Sequence, residues 1–253
     1  MKLTLPLLTA LTLLVQCTTQ DLTLQEMHDR KMRDASFQSI ASQKNSQQNL
    51  SIEMIIYEGF EETYEARLGF EGRGNITIAG ADEFAGTYSV PVNFQDNYLP
   101  GTYTLDVNGK LNQITALKFF SYQGAFKTFT GIEQMKALRE LELELHGPTL
   151  DLTQNKKLEY FSVGIHDVSN LILPEQHSIR FFFLRTNAIT IEQYVAILDN
   201  IHSNAMRKSI MNGAFDVSIS EEIEQYIAAN PEVANKLLEL RDVLGWELSY
   251  IPA

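Results

Sequence analysis

Three kinds of side chain in this chain of 253 residues stand at spacings that invite chemistry. Glu140, Glu142 and Glu144 alternate along Glu-Leu-Glu-Leu-Glu-Leu, which places three carboxylates on one face of a strand. Paired carboxylates cleave glycosidic bonds when one donates a proton and the other attacks or activates water. No acid/base partner accompanies these three, so a solvated charge stripe is the reading adopted, with a hydrolase acting on glycans as an alternative. His146 and His166 occupy equivalent places of a repeat, close enough in a stacked fold to suggest a metal. A structural or catalytic zinc needs a third protein ligand, and none stands at ligand spacing. Both rings are instead expected to turn inward and bond loop backbone, as asparagine does. Cys17 is the sole thiol and closes an apolar run. Gly-x-Ser-x-Gly, the P-loop, His-Glu-x-x-His and the EF-hand loop do not occur. The sequence thus predicts no catalytic residue, no metal and no cofactor, and a protein that is not an enzyme.

Cys17 is where covalent chemistry is expected. Lys2 precedes an apolar stretch from Leu3 to Val15, too short to cross a bilayer and of the right length for a secretory leader over residues 1–16. The junction Leu14-Val15-Gln16-Cys17 resembles a bacterial lipobox, which implies that the Cys17 thiol accepts lipid and that the residue becomes the new N-terminus. An ordinary leader with a chance cysteine is the alternative. Several acyl chains on one residue make a stable anchor, whereas one chain holds only reversibly. Membrane attachment is expected through those chains alone. The formal charge of -12 disfavours nucleic acid and anionic headgroups as partners.

Residues 17–49 read as the lipidated cysteine and a polar tether, with apolar side chains too sparse for a core. Residues 50–110 change to short alternating segments divided by turn residues, with strands expected at Ser51–Tyr57, Tyr64–Phe70, Asn75–Ala79, Gly86–Val92 and Gly101–Val107. That texture predicts a small antiparallel β-sandwich.

Residues 111–213 repeat. Leu158-Glu-Tyr-Phe161-Ser-Val163 aligns with Ile179-Arg-Phe-Phe182-Phe-Leu184, 21 residues on, and with Leu138-Arg-Glu-Leu141-Glu-Leu143, 20 residues back. Ile114-Thr-Ala-Leu117-Lys-Phe119 is a fainter copy. This is the period and pattern of a leucine-rich repeat. A last strand is expected at Arg207–Met211, and residues 214–253 read as a helical C-terminal cap. The fold class is therefore α+β: a sandwich, a short solenoid and a cap.

Stacked parallel strands would align the positions between the leucines into outward columns. They are Ala116-Glu140-Tyr160-Phe181, Lys118-Glu142-Ser162-Phe183 and Phe120-Glu144-Gly164-Arg185. Phe120, Tyr160, Phe181, Phe183 and Arg185 would then form a partner-binding surface, since aromatics and arginine dominate recognition hot spots; the alternative is that the sandwich or the C-terminal cap covers them.

This combination resembles the short leucine-rich-repeat lipoproteins of Bacteroidetes. Asp151-Leu152-Thr153-Gln154-Asn155-Lys156-Lys157-Leu158 matches their repeated unit, and Gly245-Trp246-Glu247-Leu248 their ending. Two departures stand out: the Leu171 unit lacks the aspartate and asparagine, and a tryptophan-aspartate strand is missing near Asn75–Gly80. The resemblance implies a lipid-anchored envelope protein that contacts a protein or glycan, or else a structural subunit of a larger envelope assembly. Thr18, where an aspartate would retain the protein at the inner membrane, implies the outer membrane, on either face.

Overall fold

The structure is a computed structural model that describes residues 48–59, 63–80, 84–121, 123–146, 149–165, 171–186 and 189–250. The expected leader, Cys17, most of the tether and His166 lie outside the described residues.

The first half is antiparallel and contains β1 (Gln48–Ile56), β2 (Tyr64–Gly72), β3 (Asn75–Gly80), β4 (Gly86–Ser89), β5 (Val92–Tyr98), β6 (Gly101–Gly109), β7 (Ile114–Ser121) and β8 (Gly124–Thr130). The second half contains β9 (Glu140–Leu145), β10 (Leu150–Asp151), β11 (Tyr160–Ile165), β12 (Leu171–Ile172), β13 (Phe181–Thr186), α1 (Ile191–Lys208), β14 (Ala214–Val217), α2 (Glu221–Ala229), α3 (Pro231–Asp242) and β15 (Glu247–Leu248).

Alternation fixes which side of each strand is covered. In β1, Leu50, Ile52, Met54 and Ile56 are buried, while the residues between them are not. Pairing divides this half into two branches, β4-β3-β6-β1-β8 and β5-β2-β7. Aromatic contacts run from one branch to the other: Tyr88 to Phe94 at 4.7 Å, Tyr98 to Tyr103 at 4.8 Å and Phe119 to Phe126 at 4.3 Å between ring centroids. Both branches end on β9, whose first half pairs with β7 and whose Leu145 pairs with Phe126 of β8.

From β9 onward the sheet is parallel, a β-solenoid of about three turns running β9-β11-β13-β14-β15. Its registers place Leu141, Phe161, Phe182 and Phe215 side by side on the inner face. The three phenylalanines stack, with centroids 4.7 Å and 5.6 Å apart and ring planes within 8° and 18°.

Three expectations need correction. Gly86–Val92 is not one strand: it breaks at Val90-Pro91, where proline has no N–H to give a ladder, and β5 follows as a separate strand. Arg207–Met211 is not a strand either. Thr190 and Gln193 form a capping box that starts α1, and the helix runs on to Lys208 before Ser209 turns left-handed. The strand lies after Gly213 instead, so residues 214–253 extend the parallel sheet with β14 and β15 as well as supplying α2 and α3. β8 is a strand absent from the expected set, and Gly131 beyond it has a φ of 96°. A Cβ there would meet the Asn49 carbonyl, which keeps glycine at the exit from β8.

Buried polar groups tie successive turns together. The Asn155 amide donates to the carbonyls of Ile132 (2.9 Å) and Met135 (3.0 Å), closing the turn that follows β8. One turn later no asparagine is available, and His177 takes the role in a different way. Its Nδ1 accepts from the Ile179 amide at 3.0 Å, and its Nε2 meets Asn200 Oδ1 of α1 at 2.6 Å. Asn200 and Asn204 donate to the carbonyls of Pro174 and Glu175, and Lys208 donates to the His177 carbonyl. The ring is fully buried, and that burial lowers its pKa to about 4 despite the bond to Asn200.

A base held neutral by folding stabilises the protein in full above its unfolded pKa of about 6.5. Below that, the unfolded chain takes up a proton that the folded chain refuses until about pH 4, so stability falls across this window, by about 3 kcal/mol in total. Urea unfolding midpoints measured from pH 7.5 to 4 should show this decline. His177→Gln should start less stable and lose most of the slope; an unchanged slope in the variant would assign the dependence to other groups.

Candidate functional site

The outward columns stand largely where the repeat spacing puts them. Glu140, Tyr160 and Phe181 pair across β9, β11 and β13, as do Glu142, Ser162 and Phe183 and then Glu144, Gly164 and Arg185. Tyr160, Phe181 and Phe183 are each partly exposed and form one cluster. The Tyr160 ring centroid lies 6.1 Å from Phe181 and 5.9 Å from Phe183. The Arg180 guanidinium sits 5.2 Å from the Phe181 ring centre, a cation on the face of the aromatic.

The glutamate stripe is not bare. Lys118 Nζ bonds Glu71 and Glu140, each at 2.9 Å, and these two hydrogen bonds, Glu140 first, hold its ammonium well above the ordinary lysine range. Glu71 and Glu140 flank Ala116 in register, so the bridged pair roofs over that methyl. Ala116 therefore keeps its row beside Glu140 but is buried beneath the bridge rather than exposed. Glu142 is exposed.

Phe120 leaves its predicted column. Pairing between β7 and β9 ends at Lys118 and Glu142, β8 takes over the edge of β9 at Leu145, and Phe120 falls in the interval, opposite Arg67 of β2. At this handover lies a cleft of about 630 Å³ lined by Tyr57, Phe120, Gln123, Glu144, His146 and Arg185, among others. Two sequence-predicted residues, Phe120 and Arg185, thus meet here, while Tyr160, Phe181 and Phe183 form the neighbouring cluster.

His146 also departs from expectation. Its amide donates to the Phe126 carbonyl at 2.7 Å, which carries the chain toward β8 and leaves the imidazole exposed, 5.6 Å from the Tyr57 ring. Tyr57 is a site residue that its sequence setting does not mark. Its hydroxyl is shielded from solvent without a hydrogen-bond partner, and burial pushes the phenol pKa up. No spacing rule points to it, because it follows the last paired residue of β1 and owes its place to the fold.

Across the cleft, Arg185 reaches Glu144 at 2.7 Å over the intervening strand. Gly164 makes this possible. A Cβ at 164 would overlap the Glu144 carboxylate, so the missing side chain is the gap the ion pair occupies. This pairing is legible in the predicted column, where a glycine separates one acid from one base. Among the described residues no three His, Cys, Asp or Glu side chains converge on a point suited to a metal ion.

The Glu144 carboxylate is the movable end of a flexible side chain, so Gly164→Ala should displace it at little cost in stability, within about 1 kcal/mol. A double-mutant cycle between Glu144→Gln and Arg185→Met should give a coupling of about 0.5 kcal/mol in the parent and near zero in the Gly164→Ala background. Equal coupling in both backgrounds would show that the glycine does not gate the pair. Comparison of this chain with protein-family models, with curated proteins and with solved structures returns no match.

Proposed function

We propose that this protein is a non-catalytic, lipid-anchored interaction protein of the cell envelope, held at the outer membrane through Cys17, that presents its parallel-sheet face to a protein or glycan partner. The observation that carries the reading is the cluster of Tyr160, Phe181 and Phe183. Three large rings from adjacent turns stay partly exposed beside Arg180 and Arg185, on strands whose alternate side chains fill the core. Rigid aromatics and arginine on a preorganised surface lose little conformational entropy on binding, which suits a recognition patch.

Two finer fold assignments belong to the same reading. The facing branches β4-β3-β6-β1-β8 and β5-β2-β7 constitute a small β-sandwich, and the turns from β9 onward are leucine-rich repeats. Asn155 supports the latter, since it bonds the backbone of the preceding turn from the asparagine position of the Asp151–Leu158 unit that carries the resemblance. Among the described residues no helix is long and apolar enough to cross a membrane, and attachment in this proposal depends on lipid alone.

The Phe181→Ser, Phe183→Ser double variant should keep the parent's circular dichroism and thermal midpoint yet lose partner capture in pull-downs from envelope or host extracts. Equal capture would sink the proposed face. Cross-linking in intact cells separates recognition from a fixed structural subunit, which should yield one stoichiometric product. Cys17→Ser should move the protein from the membrane to the soluble fraction, and retention at the membrane would remove the anchor from the proposal.

A further inference from the structure

We propose that the cleft at the junction of β7 and β8, beside the end of β9, binds a neutral oligosaccharide. This deepens the recognition reading above and rests on it, because it names a ligand class for the same face. The cleft, at about 630 Å³, has the size of a small-ligand site, and its walls come from segments far apart in the chain: the end of β1, the β7–β8 turn, β9 and β13.

Its charge balance decides what enters. Among the described residues that line it, one carboxylate and one guanidinium are present, and they satisfy each other at 2.7 Å. An anion would have to compete with Glu144 for Arg185, on a chain of formal charge -12 with Glu142 exposed nearby. A pair of neighbouring hydroxyls need not compete. Arg185 keeps further N–H donors and Glu144 a further acceptor oxygen, so the bridged pair offers donor and acceptor side by side. Sugar diols have that complementary pattern.

Two more groups fit the same ligand. Phe120 is 40% exposed at the cleft, and the electron-rich face of such a ring packs against the C–H face of a pyranose. Gln123 adds an amide able to donate and accept.

The test is isothermal titration calorimetry of the full chain in detergent with cellotetraose, mannotetraose and chitotetraose, and with trigalacturonate as the anionic counterpart. At least one neutral tetrasaccharide should bind with a Kd below about 1 mM. Phe120→Ala and Arg185→Met should each weaken it roughly tenfold. Gly164→Ala, which moves Glu144 without deleting a cleft side chain, should weaken it as well. Ile172→Ser, an exposed change away from the cleft, should leave it unaltered. Circular dichroism confirms that each variant is folded. No heat with any neutral sugar, tighter binding of trigalacturonate, or affinity indifferent to both Phe120→Ala and Gly164→Ala would overturn the inference. Should the neutral sugars fail while the Phe181→Ser, Phe183→Ser variant still loses its partner, the saccharide class falls and the recognition face survives. Should a neutral sugar bind while that variant captures its partner as well as the parent does, the saccharide site stands and the aromatic face falls.

Discussion

The architecture hinges on a competition for one strand edge. β9 is six residues long, and its edge toward the antiparallel half is claimed by two strands: β7 along Glu140–Glu142 and β8 at Leu145. Backbone groups that are buried must be paired, so β7 and β8 cannot both follow β9 along its whole length; each takes a share and then departs. That division joins two branches of antiparallel sheet to a single parallel stack. The cleft lies at this handover, where the chain leaves β9 after Lys118 and rejoins it at Phe126. It thus belongs to the joint between two kinds of sheet.

Beyond β9, turn-to-turn cohesion combines apolar stacking with a few buried polar links. The Phe161, Phe182 and Phe215 ladder buries ring against ring along the inner face, where dispersion and the exclusion of water act together. Stacking alone does not fix the backs of the turns, whose carbonyls need donors. Asn155 serves two of them with one side chain. When the chain replaces this unit with Leu171-Ile-Leu173-Pro174, the donors come from α1 instead, through Asn200, Asn204 and Lys208, with His177 at the centre. The change coincides with the lengthening of the turns from 20–21 to 33 residues between equivalent strand positions, as helices replace the short β10–β12 ladder.

The repeat is the most legible part of the sequence, because its period fixes register, and register fixes which residues share a face. The rows Glu140-Tyr160-Phe181 and Glu144-Gly164-Arg185 follow directly. What period does not reveal is what lies beside the first strand. Ala116 is covered by a lysine bridge whose acid Glu71 comes from another sheet branch, and Phe120 leaves its row because β8 displaces β7 from β9. Tyr57 and His146 meet because each bonds the β7–β8 segment, Tyr57 at Gln123 and His146 at Phe126. At the other end, the apolar Ile210 and Met211 suggest a strand, but the Thr190 capping box and eighteen residues of helix decide the conformation, and Ile210 serves as acceptor for the Trp246 indole. Local pattern reads the stack well and its two margins poorly, since margins depend on partners distant in sequence.

The ion pair over Gly164 carries a last consequence. Its members belong to the first and third of three successive strands, and the vacancy between them to the second. No single repeat contains the arrangement, so it exists only when three turns are stacked in phase. A slip of one residue in β13 would turn Arg185 toward the core and bring a neighbour of opposite character outward. A slip in β11 would fill the gap with Val163 or Ile165. The surface feature therefore works as a vernier on the stack: it comes into alignment for one register and for no adjacent one.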